Sequence, residues 1–292
     1  MQHIERGIIY EDSFLGVTVG ALAFQHGVIL IDAPLKADDT RSWRSTLINQ
    51  RGGSNRLLVS LDAHPDRTLG ARLLDCTMIA HQKTARVFRN RSTIFKGQSV
   101  ESGADWETYP EAIGLRWASP DITFTERITL HWGGPEVILE HHPGPTPGSI
   151  WVIIPDMRVV FVGDAVVLRQ PPFLAWADLD AWIGGLDMLM NSYQDYVIVS
   201  GRGGQVVAED IRRQIKVLKE IANALDNIAR KNAAPEDNKV LIPKILAHYA
   251  DMPAEHLERY TQRLRYGLHQ CFLRRYRSVS LLGQTDVENE EQ

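Results

Sequence analysis

The chain is poor in cysteine: Cys76 and Cys271 are the only two among 292 residues. They lie far apart and lack C-x-x-C spacing, which excludes a disulfide framework and a cysteine zinc site and makes a reducing compartment the expectation. Long apolar runs are missing too, and Met1-Gln2-His3-Ile4-Glu5-Arg6 lacks the basic-then-apolar order of a signal peptide. No membrane partner is expected, and the expected location is the cytoplasm. Nor is positive charge in excess: 32 Lys and Arg against 36 Asp and Glu give a net charge of -4, so there is no basic footprint for nucleic acid. Local basic clusters at residues 212–230 and 258–277 read as solvated helix faces. What the chain does have is 44% hydrophobic residues, enough for one large domain and an appendage.

Apolar or alternating runs at residues 16–24 and 28–31, separated by His26-Gly27, predict a hairpin that ends at Asp32-Ala33-Pro34. Asp38-Asp39-Thr40 caps a helix to about Asn49, stopped by Gly52-Gly53. Strands are expected at 57–60 and 77–81, and a helix at 83–88. Residues 91–118 are polar with no sustained period and predict an irregular or partly helical excursion. Strands follow at 122–129 and 136–141 around Gly133-Gly134-Pro135, then at 150–154 and 159–162. Ile211, Ile215, Leu218, Ile221, Leu225 and Ile228 recur at helical spacing and predict a long amphipathic helix over 208–230. Two more helices are expected at 241–249 and 253–276, after a break at Ala233-Ala234-Pro235. The acidic end, 284–292, is expected to be disordered.

Four segments carry chemistry. The first, Ser60-Leu61-Asp62-Ala63-His64-Pro65-Asp66-Arg67-Thr68-Leu69-Gly70, follows the apolar run Leu57-Leu58-Val59 and sits where α/β proteins place functional loops. The second is His141-His142-Pro143-Gly144-Pro145-Thr146-Pro147-Gly148-Ser149, the third Val162-Gly163-Asp164 at a strand end, and the fourth Ser200-Gly201-Arg202-Gly203. Together they resemble the metallo-β-lactamase superfamily: the H-x-H-x-D-H loop, the P-G-H-T-P-G-S loop, the strand ending in Gly-Asp, and the final G-H-G loop. The resemblance runs from about residue 8 to 232 and implies a four-layer αββα sandwich. It also implies domain bounds of 1–232, a helical extension at 233–280 and a tail at 281–292.

Against that pattern, Asp62 and Arg67 stand where the first and last histidines of the first loop would be, Pro145 replaces a third and Arg202 a fourth. His64, Asp66, Gly70 and Asp164 match. A dinuclear zinc site needs several neutral imidazoles around a bridging carboxylate. Arginine stays protonated and repels a cation, so Arg67 and Arg202 are expected to exclude a second metal and to pair with Asp62, Asp66 and Asp164 instead. The cofactor expectation is none, or one divalent ion (Zn, Mn or Fe) held by Asp62, His64 and Asp164. With such an ion, Asp66 is the candidate general base.

Arg67, His142 and Arg202 are the candidate ligand-binding residues, for a small molecule, with an anion among the candidates. Gly201-Arg202-Gly203-Gly204 is a weaker anion-binding signal through backbone N–H groups. Arg169, Trp176 and Trp182 flank a proline-containing segment expected near the pocket rim, although core anchoring also explains both tryptophans. His81 reads as structural. The C-terminal helices are expected to close the sandwich or to pair subunits. Two functions follow: a divergent superfamily member that binds a ligand without the dinuclear centre, or a single-metal hydrolase acting on an ester, thioester, lactone or phosphoester.

Overall fold

A computed structural model describes residues 1–5, 7–48, 55–96, 102–231 and 235–277. The predicted helix stop at Gly52-Gly53, part of the break at residues 233–234, and the acidic tail lie outside them.

The first sheet takes seven strands in chain order: β1 (Gln2–Glu5), β2 (Ile8–Glu11), β3 (Val19–Phe24), β4 (Gly27–Ile31), β5 (Arg56–Val59), β6 (Thr77–His81) and β7 (Ile122–Phe124). The first four form an antiparallel meander, and β4 to β7 run parallel. The second sheet takes β8 (Arg127–Leu130), β9 (Val137–His141), β10 (Ile150–Ile154), β11 (Val159–Gly163), β12 (Val197–Ser200) and β13 (Gly204–Val206). Among the described residues its only parallel pair is β11 with β12.

Residues 122–129, expected as one strand, are two strands in different sheets: β7 pairs with β6, while β8 pairs with β9. The chain therefore crosses from one layer to the other at Thr125-Glu126. The hairpin predicted around Gly133-Gly134-Pro135 is the one that joins β8 to β9. Strands β1 and β2 both lie ahead of the first hydrophobic run read from the sequence.

Alternation along the strands assigns the layers. In β10, Ile150, Val152 and Ile154 face the other sheet, and Trp151 and Ile153 face outward into a helical layer. In β4, Ile29 and Ile31 face the inter-sheet core, with Val28 and Leu30 on the opposite side. Both faces of each sheet are covered, which is why these strands read as continuous apolar runs.

Over the first sheet lie α1 (Ala37–Ile48), the single turns α2 (Pro65–Thr68) and α3 (Ala71–Leu74), and α4 (Gln82–Asn90). Trp43, Leu47, Leu74 and Phe88 form that outer core. Over the second sheet lie α5 (Leu179–Ser192), α6 (Ala208–Arg230), α7 (Ile242–Leu246) and α8 (Leu257–Tyr276). The result is the expected αββα sandwich.

Helix α5 goes beyond the sequence expectations, since adjacent Gly184 and Gly185 weaken its propensity. Asp178 caps it by accepting from the Ala181 N–H at 3.1 Å. Trp182 anchors it, donating from Nε1 to the Ala165 carbonyl at 2.8 Å, which is the core role of the two weighed for this tryptophan.

The predicted face of α6 is found: Ile211, Leu218, Ile221 and Leu225 are buried against the sheet. Ile245, Tyr249, Leu264 and Leu268 from the last helices enter the same cluster as Val160 and Val162 of β11. Leu264→Ala is therefore expected to cost about 2–5 kcal/mol, read as a lower urea midpoint in a single cooperative transition. Two separate transitions would contradict the shared core.

Candidate functional site

Local chemistry builds the loop after β5. Asp62 accepts the His64 backbone N–H at 2.8 Å and lies 2.9 Å from His64 Nδ1, an Asx-type turn. Pro65 starts the turn α2, where its missing N–H costs nothing. That turn carries Asp66 and Arg67 inward, and both are fully buried. Gly70 ends the loop because a β-carbon there would lie 1.9 Å from the Pro34 carbonyl oxygen. On the second sheet, Asp164 follows β11 and Arg202 follows β12, with Ser200 Oγ accepting the Arg202 N–H at 2.9 Å.

The four segments converge at one edge of the sandwich. Arg67 Nη2 bonds Asp164 Oδ1, while its Nε and Nη1 lie 3.4 Å from Asp62 and 3.3 Å from Asp32. Arg202 Nε donates to both oxygens of Asp164 at 3.0 Å. Its Nη1 and Nη2 grip the two oxygens of Asp66, and Nη1 also reaches the Gly16 carbonyl. Gly201 leaves room for this arrangement: a β-carbon there would sit 2.9 Å from both terminal nitrogens of Arg67.

The predicted pairing of two guanidiniums with Asp62, Asp66 and Asp164 is thus what the geometry shows, with one member the sequence did not reveal. Asp32, at the end of β4, is completely buried, accepts the Leu61 N–H at 2.9 Å and adopts a φ of 58°. Its burial and its left-handed backbone are three-dimensional facts, and the residue type alone gave only a turn signal. Burial pushes its carboxyl up to about 8, against the opposing pull of Arg67. For Asp62, Arg67 and then His64 outweigh the burial and hold the carboxyl well below the usual range. For Asp164, Arg202 and then Arg67 do the same. With Asp32 protonated, three carboxylates face two guanidiniums.

Three donors that could hold a metal, on Asp62, His64 and Asp164, lie within 4.8 Å of one another. His64 Nδ1 is 2.9 Å from Asp62 Oδ2 and 3.5 Å from Asp164 Oδ2. A second ion does not fit: Arg67 and Arg202 fill the space beside Asp164 and Asp66 with positive charge. Asp66, expected as a general base, is instead held at both oxygens by Arg202. Neither arginine is open to an external anion, since both are buried and ion-paired with carboxylates.

An aromatic lid lies over the network. Trp106 stacks on Phe173 at 5.7 Å, and both rings lie against His64. Phe173 is also covered by Arg202 at 4.6 Å and Arg263 at 3.8 Å. Arg263 of α8 reaches the Gly103 carbonyl at 3.0 Å, the Pro171 carbonyl at 3.0 Å and Gln170 Oε1 at 2.7 Å. One helix thereby clamps both lid segments, the 102–118 excursion and the loop after β11.

Other expected residues lie elsewhere. His142 does not join the network; it stacks on Trp151 at 3.7 Å and bonds Glu140 at 2.9 Å. The glycine loop is no anion cradle, because the N–H groups of Gly203 and Gly204 both donate to Thr18 Oγ1 at 3.1 Å. His81 is structural: it caps α4 through the Lys83 N–H at 3.1 Å, pairs with the Thr125 carbonyl at 2.7 Å and stacks on His141. Trp176, by contrast with Trp182, is half exposed and lines a cavity of about 500 Å³ beside His64.

Two packed sheets with helices outside, and a loop cluster at one edge, define the class of protein as a metallo-β-lactamase-like αββα sandwich. The family model of the metallo-β-lactamase superfamily matches residues 63–202, a span that takes in the second and third chemical segments whole and most of the first and fourth. The resemblance read from the four segments is thereby borne out over that span. Among solved structures, the metallo-β-lactamase from Pontibacter korlensis is 18% identical with a TM-score of 0.56, covering 75% of this chain and 97% of its own. DIM-1 metallo-β-lactamase is 15% identical at a TM-score of 0.58, covering 75% and 96%. The inverting sec-alkylsulfatase Pisa1 from Pseudomonas sp. is 15% identical at 0.63, covering 93% of this chain and 49% of its own. This chain thus spans about half the length of the alkylsulfatase it resembles. No curated protein matches it significantly by sequence. Among the described residues, no helix is long and apolar enough to cross a membrane.

Removing Arg202 strands the buried Asp66 carboxylate and leaves Asp164 with Arg67 alone. Arg202→Met is expected to cost about 3–5 kcal/mol, measured by urea unfolding, and a loss below 1 kcal/mol would show that the pairs are replaceable. Asp32 gives a pH test. Its folded pKa is raised, so between the unfolded carboxylate value and about 8 the native state binds the extra proton, and stability falls as pH rises through that window. Asp62 and Asp164, with lowered values, act oppositely and lose their contribution only in acid. Asp32→Asn should therefore flatten the decline of the unfolding midpoint between pH 6 and 8.5; an unchanged slope would show that Asp32 is ionised throughout.

Proposed function

We propose that this protein is a non-catalytic, ligand-binding member of the superfamily in which an arginine–aspartate network stands in place of the dinuclear metal centre. The observation that carries the reading is the Asp164 carboxylate, which accepts from Arg67 and from Arg202. In a dinuclear site the equivalent oxygens must face metal ions, and oxygens engaged by two guanidiniums face positive charge already fixed by the fold. Asp66 is held at both oxygens by Arg202, which leaves it poorly placed to take a proton from a nucleophilic water.

A single divalent ion on Asp62, His64 and Asp164, working as a hydrolase, is the second reading, favoured by the convergence of those three donors. Such an ion would supply a Lewis acid and a water of lowered pKa. Both of its carboxylates, however, are neutralised by arginine at contact distance. The small-molecule partner belongs to this proposal rather than to the fold. A metallo-β-lactamase and an alkylsulfatase share that fold, and fold alone does not select an activity.

The test is hydrolysis of a β-lactam, a thioester, a lactone, a phosphodiester and a secondary alkyl sulfate, with and without added Zn²⁺ or Mn²⁺. The expected result is no metal-stimulated turnover above the rate of an Asp164→Ala control checked for folding by circular dichroism. Turnover that depends on metal and disappears in that variant would establish the hydrolase instead.

A further inference from the structure

The anion-binding chemistry expected at Arg67 and Arg202 has a better location about the cavity beside His64. Its volume of about 500 Å³ falls within the roughly 300–1,000 Å³ of small-molecule sites. Its walls are mostly apolar, and among the lining residues three carry a fixed positive charge while none is Asp or Glu. In a chain with more acidic than basic residues, a one-signed lining of this kind is a local feature.

The charges come from one element. Lys83, Arg86 and Asn90 recur at i, i+3 and i+7 on the exposed face of α4, whose other face is buried through Thr84, Ala85 and Phe88. Arg91 follows at the helix end. Its guanidinium is fixed by the Ala63 carbonyl at 2.6 Å and by stacking on Trp117 at 4.5 Å. Its Nη1 is buried without a hydrogen-bond partner among the described residues, so its charge beside the cavity is only partly met by the protein. Burial lowers its pKa to about 10, which leaves it charged at neutral pH. Across the cavity stand Trp106, Phe173 and the half-exposed Trp176.

We infer that this cavity binds a small amphiphile, with an oxyanion headgroup held by Lys83, Arg86 and Arg91 and an apolar body laid against Trp106, Phe173 and Trp176. The inference rests on the reading of this chain as a ligand-binding protein, and it moves the anion site from the closed network to the helix beside it. A carboxylate and a sulfate present the same chemistry to these donors. The apolar body explains why the facing wall is aromatic rather than polar, since rings supply contact area at low entropic cost.

Calorimetric titration with octanoate, octyl sulfate, octanol and octylammonium tests it on the full chain. Both anions, or either one, are expected to bind, octanol about tenfold more weakly, and octylammonium not at all. The tighter anion identifies the headgroup. Lys83→Glu with Arg86→Glu, at two exposed positions that leave the core untouched, should weaken anion binding by at least about tenfold and leave octanol unchanged. Octanol binding as tightly as the anions, no binding of any probe, or anion binding indifferent to the double substitution would overturn the inference while leaving the metal-free reading in place. Chelator treatment separates the two: unchanged binding is expected, and loss of anion binding on chelation would put the headgroup on a metal and overturn both.

Discussion

The Asp164 carboxylate, held by Arg67 from one sheet and Arg202 from its own, is the contact on which the edge of the sandwich depends. It joins the loop after β5 to the loops after β11 and β12, so three segments distant in sequence share one buried ionic group. Such a cluster is costly to bury and stable only when every charge is met. Here Asp66 takes one end of Arg202, Asp62 and Asp32 flank Arg67, and burial keeps Asp32 protonated near neutral pH. On the function proposed above, the guanidiniums fixed by the chain stand where a second metal ion would otherwise sit.

The lid makes that substitution durable. Trp106 and Phe173 cover His64, Phe173 lies between Arg202 and Arg263, and Arg263 ties both lid segments to the last helix. Low local dielectric strengthens the pairs beneath the rings, while the outer face of the same rings is left to a cavity with basic and aromatic walls. Network and cavity therefore share a wall and have opposite characters, one closed and polar, the other open and mostly apolar.

Much of this was legible in the sequence, for reasons that differ by element. Runs such as Val28 to Ile31 and Ile150 to Ile154 are apolar on both faces, so their strand character survives any uncertainty about layers. The sheet change between Phe124 and Arg127 was not legible, because a short alternating run looks the same whether it continues or crosses over. Motif spacing located Asp62, His64, Asp66, Arg67, Asp164 and Arg202 together, since ligand positions sit at strand ends whatever residue fills them. Asp32 was missed because nothing in Asp-Ala-Pro reveals full burial beside an arginine. His142 was misplaced because a strand-ending pair of histidines does not say which one turns inward, and neither reaches the network. Lys83, Arg86 and Arg91 drew no reading from the sequence, because their meaning requires knowing that α4 borders a cavity.

The central claim is that fixed arginine charge replaces bound metal, and the most direct measurement is the metal content of protein purified without chelator and supplied with excess zinc before desalting. The account predicts zinc near the background of the buffer, and the same result after Pro145→His, which restores one ligand but leaves both arginines. About two equivalents of zinc per chain, retained through desalting, would contradict it.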